Sequence, residues 1–354
     1  MRIRSIVILM TSGSLLLCAC SSLPSHPADP QSTLVAASLA ATSPTGARLV
    51  DHAGFTTEGA KWWADGAKWW ADGAKWWADG AKWWADGVFQ PMPANSKLLQ
   101  AVKIDVAQAH AHQMGKGVVV AVLDSGIDVE HPMLKGALLP GRDFVDNDLD
   151  PSEQGTDSEP AYGHGTAVAG VLRQVAPGAK ILPVRVLSPD GFGDADNVAS
   201  AIRFAVDQGA QIIHLSIAAS VSNEGVRAAL QHAVSRGVLV VAACGNDGSD
   251  RPESPANALD GKNPLGQYGV SVSAVNTDGT FPGWSTRGGE VLAPGVAVQS
   301  AYPGGRTVNA SGSSFAAPLV TGALALALAE GKDARRLSAE LSSGAMLDAS
   351  RLLQ

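Results

Sequence analysis

From about residue 92 onward, apolar runs of strand length alternate with helical patterns, and this alternation leaves the chain few architectures. Residues 117–123, 181–187, 212–217, 238–243 and 270–275 are nearly continuous apolar stretches, as expected of strands buried on both faces. Residues 164–172, 198–208 and 226–235 carry helical patterns, and residues 314–329 form a long apolar helix. Buried strands separated by crossover helices predict an α/β fold, with a mostly parallel sheet covered by helices on both faces. Ligands of such sheets bind at the carboxyl ends of the strands. The chain has 354 residues, 45% hydrophobic and 17% charged, so a core of that size is affordable in one large domain or two ordinary ones. Its net charge of −7, with no basic run, argues against a nucleic-acid partner.

The first 91 residues read differently. Residues 1–19 have the form of a signal peptide: Arg2 and Arg4, then an apolar run over 6–17 too short to span a bilayer comfortably. The run ends in Leu17-Cys18-Ala19-Cys20, which resembles a bacterial lipobox and implies cleavage before Cys20 with lipid attached there; an ordinary signal peptide with an incidental cysteine is the alternative. Residues 20–59 are rich in Ser, Pro, Ala and Thr and read as a flexible tether. Residues 60–87 are four perfect copies of Ala-Lys-Trp-Trp-Ala-Asp-Gly and hold eight of the nine tryptophans. Paired Trp beside Lys suits a membrane interface or an envelope surface, and a spacer is the plainer reading. With Cys18 removed and Cys20 acylated, Cys244 is left alone and no internal disulfide is expected. Its apolar strand context marks it as a packing residue.

Four positions carry chemistry. Asp124 follows an apolar strand in Val-Leu-Asp-Ser-Gly, where a carboxylate stands at the sheet rim; a metal ligand with Asp128 or a turn acid are alternatives. His164 lies in Gly-His-Gly-Thr before an apolar helix, and a helix N-terminus lowers its tendency to hold a proton, which suits a general base. Ser314 opens the long helix in Gly-Ser-Ser-Phe-Ala-Ala-Pro, beside unpaired backbone N–H groups that favour negative charge. Ser313 is the expected N-cap, and Pro318 is expected in the first turn. Asn246 follows a strand in Cys-Gly-Asn-Asp-Gly, where its amide suits either an oxyanion donor or an Asx turn.

Asp124-Ser-Gly, Gly-His164-Gly-Thr and Gly-Ser-Ser314-Phe-Ala-Ala-Pro, in that order and at intervals of 40 and 150 residues, resemble the motifs of the subtilisin-like serine peptidases, the subtilases. The resemblance covers about residues 95–330 and implies a three-layer fold and a catalytic domain over 92–330; beyond it, residues 331–354 read as a polar helical C-terminal tail. It also implies a serine endopeptidase acting on peptide or protein substrates through Ser314, His164 and Asp124, with Asn246 and the Ser314 N–H binding the oxyanion. The family lays its substrate along the segment matching Leu215 to Ala219, so Ser216, Ile217, Ala218, Ala219, Cys244 and Gly245 are the expected substrate contacts. No cofactor is required. Calcium is an optional ligand of an acidic stretch such as Asp146, Asp148 and Asp150, where a solvated loop is the alternative. A monomer, secreted and held to a bacterial membrane through Cys20, completes the expectation.

This sequence departs from the family in three places. Ala218 and Ala219 stand where glycines are usual, Ser313 where threonine is, and Cys244 beside the oxyanion loop. Residues 21–91 show no βαββ pattern of the folded propeptide common in the family. These features leave open a second reading, a catalytically weak subtilase-fold module that binds peptides in the cell envelope.

Overall fold

The computed structural model describes the backbone of residues 55–57, and residues 92–354 apart from 262, 342 and 343. Cys20, the signal peptide, the repeats and most of the tether lie outside the described residues. Strands, numbered along the chain, are β1 (Phe55–Thr57), β2 (Val119–Asp124), β3 (Arg142–Asp143), β4 (Lys180–Arg185), β5 (Phe192–Gly193), β6 (Ile212–Leu215), β7 (Ile217–Ala218), β8 (Leu239–Ala243), β9 (Gly269–Val275), β10 (Val291–Pro294), β11 (Val298–Tyr302), β12 (Arg306–Ala310) and β13 (Ala345–Met346). Helices are α1 (Ser96–Ala101), α2 (Ile104–His110), α3 (His164–Val175), α4 (Ala195–Asp207), α5 (Glu224–Ser235), α6 (Ser313–Ala329) and α7 (Ala334–Leu341).

The main sheet has eight strands in the order β13-β10-β9-β8-β6-β2-β4-β3. Every pairing in it is parallel. Successive side chains of a strand point to opposite faces, so one apolar run feeds two cores. Val120, Val122, Ile181, Ile212, Val241 and Val270 face one core with α3 and α6. Ala121, Leu123, Leu182, Val184, Ile213 and Val240 face the other, with α4 and α5. This is the expected three-layer α/β architecture.

Residues 331–354, read from sequence as a polar helical tail, are built into the domain. Leu337 and Leu341 of α7, with Leu347 and Leu352, are buried in the first core. β13 extends the sheet edge beside β10. Its strand is two residues long, too short for alternation to show in sequence. The β11–β12 hairpin was hidden similarly among polar residues, yet it pairs over five residues and packs under α3.

Candidate active site

The site is assembled at the carboxyl edge of the sheet. Asp124 is the last residue of β2, and its Oδ1 accepts the Ser125 N–H at 2.7 Å and faces His164 Nδ1 at 2.7 Å. His164 opens α3. Two glycines bring these elements together. Gly163 takes φ +84°, and a Cβ there would stand 2.4 Å from the Tyr302 ring. At Gly165 a Cβ would stand 2.2 Å from the Gly126 carbonyl oxygen, so the loop after Asp124 and the start of α3 touch backbone to backbone. The His164 ring packs against Phe315 with centroids 5.5 Å apart. With Nδ1–H donated to the carboxylate, Nε2 holds the lone pair; it is buried and makes no hydrogen bond among the described residues.

Ser314 is the second residue of α6, wholly buried, and its Oγ donates to the Ser216 carbonyl over a long 3.4 Å. Two sequence expectations are corrected here. Ser313 is the first helical residue, not the cap: Gly312 precedes the helix, and Ser313 Oγ accepts the Gly245 N–H at 3.1 Å. The Ser313 N–H is instead capped from another loop, by Asn246 Oδ1 at 2.8 Å. Pro318 is the sixth residue of α6 and lies in its second turn, not its first. Proline has no N–H to give the carbonyl four residues back. That carbonyl belongs to Ser314, and Ser216 Oγ donates to it at 2.9 Å.

The expected substrate contacts divide. Ala218 belongs to β7 and pairs with Thr56 of β1, while Ile217 pairs with Thr57. Ala219 turns its backbone the other way, exchanging hydrogen bonds with Ser254 at 2.8 and 3.0 Å. Gly245 bridges to α6 through its N–H, and its carbonyl accepts from Thr286. Cys244 is a buried thiol in the second core, and its backbone is engaged with Val272 and Glu253. In the acidic loop, Asp146 is bound to the buried Arg185 at 2.6 Å, which holds its carboxyl below the usual range, while Asp143 meets the same guanidinium. Asp148 and Asp150 each accept a backbone N–H of their own loop.

Two groups were missed in the sequence because each sits in an unremarkable context. His214 lies inside strand β6, and burial pushes its pKa down to about 4. Its Nδ1 meets Thr321 Oγ1 at 2.8 Å and its Nε2 meets Ser216 Oγ at 2.7 Å. Glu153 lies in a polar loop and accepts from the hydroxyls of Ser125 and Thr166, each at 2.7 Å. Burial raises it to about 7, against the pull of those two hydroxyls. It clamps the loop after Asp124 to the first turn of α3. Only the signal of a polar residue inside an apolar strand could have marked His214, and nothing in sequence marked Glu153.

Comparison with known proteins gives consistent likenesses. Residues 115–350 match the model of the subtilase family. The chain is 35% identical to a thermitase of Thermoactinomyces vulgaris over 257 residues, covering 69% of this chain and 86% of that protein. It is 35% identical to a thermophilic serine proteinase of Bacillus sp. (strain AK1) over 61% of this chain and 53% of the other. It is 34% identical to subtilisin E of Bacillus subtilis (strain 168) over 61% of this chain and 56% of the other, so it spans about half the length of these last two.

Proposed function

The chain belongs to the subtilase family and is a serine-type endopeptidase, and from that premise we propose that Ser314, His164 and Asp124 are its nucleophile, general base and orienting carboxylate. The observation that carries this is the 2.7 Å pairing of Asp124 with His164 Nδ1, which leaves Nε2 as the basic nitrogen beside the start of α6. Rotation of Ser314 Oγ from the Ser216 carbonyl toward Nε2 activates the hydroxyl. Oγ then adds to the scissile carbonyl as His164 takes its proton. The C–N bond breaks as His164 returns that proton to the leaving amine. Water, deprotonated by the same imidazole, hydrolyses the ester and restores Ser314. Asp124 holds the tautomer and stabilises the imidazolium.

Asn246 and the Ser314 N–H are the oxyanion donors. Asn246 gives Oδ1 to the cap of α6, which fixes the plane of its amide and presents Nδ2 on the other side. One residue thereby aligns the helix start and the donor. Peptide substrate lies along β7 as an added strand. We further propose export and anchoring through lipid on Cys20, supported by the lipobox-like Leu17-Cys18-Ala19-Cys20; among the described residues no helix is long and apolar enough to cross a membrane. A fluorophosphonate that labels Ser314 in the wild type and nothing in Ser314→Ala, with peptide-library cleavage lost in the variant, is the expected result. Equal cleavage by the variant would remove Ser314 from its role.

A further inference from the structure

His214 stands where an apolar side chain is the ordinary choice. It is the third residue of β6, and its partners across the sheet are Val122 of β2 and Val241 of β8. Both valines belong to the core beneath α3 and α6, and the wholly buried His214 turns to that same face. An imidazole there loses its hydration, and the loss is offset only if both ring nitrogens are bonded. Both are: Nδ1 lies 2.8 Å from Thr321 Oγ1, and Nε2 lies 2.7 Å from Ser216 Oγ.

The count of protons fixes the direction of each bond. Ser216 Oγ lies 2.9 Å from the Ser314 carbonyl, which can only accept, so the Ser216 hydroxyl proton goes there. Ser216 Oγ must then accept from His214, which puts the ring proton on Nε2. Nδ1 keeps its lone pair and accepts from the Thr321 hydroxyl. Burial holds the ring neutral, as this pattern requires, with a pKa of about 4; Asp124 pulls it up and His164 pushes it down, so the ring is within electrostatic reach of both.

Both ends of this chain of bonds fall on α6. Ser314, Pro318 and Thr321 follow one another at spacings of four and three residues and share one stripe of the helix. Thr321 therefore anchors the ring two turns along, about 10 Å from Ser314. At the other end, Ser216 serves the Ser314 carbonyl, which Pro318 leaves without its helical donor. The break in the helical ladder at Ser314 is closed from the end of β6, through a link whose length is set by a rigid ring. Ser216 also receives the Ser314 side chain, since its carbonyl accepts from Oγ at 3.4 Å.

We propose that His214 is a positioning residue for the nucleophile: by bracing Ser216 against two turns of α6, it sets where Ser314 stands relative to His164. This rests on the roles assigned above to Ser314 and His164. The hydroxyl has to reach both His164 Nε2 and the substrate carbonyl, and a misplacement of about 1 Å can cost on the order of a hundredfold in rate. Without Nε2–H behind it, the Ser216 hydroxyl has other rotamers to visit, and the first turn of α6 loses its fixed donor.

The test combines steady-state hydrolysis of a peptide anilide, the rate of fluorophosphonate labelling of Ser314, and thermal unfolding. His214→Leu fills the site without a donor and is expected to lower kcat about tenfold or more, with KM within about twofold and labelling slowed by the same factor. His214→Gln can still offer an N–H to Ser216 and is expected to recover most of that loss. The near-isosteric Thr321→Val leaves Nδ1 without its donor and is expected to cost less, about threefold. His214→Leu combined with Ser216→Ala is expected to be no slower than Ser216→Ala alone, because both act through one link. An unchanged kcat in His214→Leu, or multiplied losses in the double variant, overturns the proposal and leaves the triad standing. Losses that follow melting temperature, with the folded fraction labelling at the wild-type rate, overturn it as well and make His214 a packing residue. A folded wild type that neither cleaves nor labels overturns the proposal and the triad together.

Discussion

The helices on the two faces of the sheet begin in different ways. On one face, α4 and α5 are capped by their own preceding residues: Asp194 accepts from Asp196 and Asn197, and Asn223 accepts from Val226. On the other face, α3 and α6 begin after Gly163 and Gly312, and neither has a side-chain cap from that residue. A local cap satisfies the orphan N–H groups and closes a helix start to anything else. A glycine at that position lets a neighbouring chain come close and leaves the helix end to serve the chemistry. The starts without a cap from their own preceding residue carry His164 and Ser314, the proposed base and nucleophile, and that of α6 is capped from a distant loop by Asn246 instead.

The sharpest break of this comparison is Ser314→Ala or His164→Ala, expected to lower kcat by about 10⁶ while the melting temperature changes little, measured by peptide hydrolysis and thermal unfolding. Asn246→Ala comes next, because it serves both sides of the contrast. It is expected to lower kcat by about 10²–10³ through the oxyanion and to cost about 1 kcal/mol through the lost cap of α6. A full cap loss with unchanged kcat would separate the two roles.

The pH dependence of stability gives a smaller effect. Glu153 keeps its proton to about pH 7 when folded but loses it near 4.5 when unfolded. The folded state binds more protons in that window, so this group lowers stability as pH rises through it. His214 has the opposite sign: between about pH 4 and 6.5 only the unfolded chain takes its proton, so stability rises with pH. The two oppose one another where the windows overlap. Glu153→Gln is expected to steepen the loss of melting temperature on acidification below pH 6.5. His214→Leu is expected to leave a fall between pH 4.5 and 7, each on the order of 1–3 kcal/mol over its window. Parallel profiles for the two variants would refute the assignment. Smallest are Asp194→Ala and Asn223→Ala, each expected to cost about 1 kcal/mol with kcat unchanged, which completes the contrast between closed and open helix starts.

The order of strands and helices in the central domain was legible because fully buried parallel strands leave an unbroken apolar signature. The strands at 119–124, 239–243 and 269–275 lie where the runs predicted them within two residues. The short β3, β5 and β13 left no such mark, since two residues cannot display a period. Asp124, His164, Ser314 and Asn246 were each visible in a local glycine-flanked motif. His214 and Glu153 were not, because their roles depend on partners up to 107 and 28 residues away.

The sequence by itself therefore determined the α/β class, the family resemblance and the identity of the candidate catalytic groups, since all three are written in local composition and short motifs. Tertiary structure alone decided that Asn246 caps α6, that Ser216 replaces the bond Pro318 removes, and that residues 55–57 lie along β7. These are contacts between segments far apart in the chain, and hydrogen-bond geometry, unlike apolar periodicity, exists only once the fold has brought both partners together.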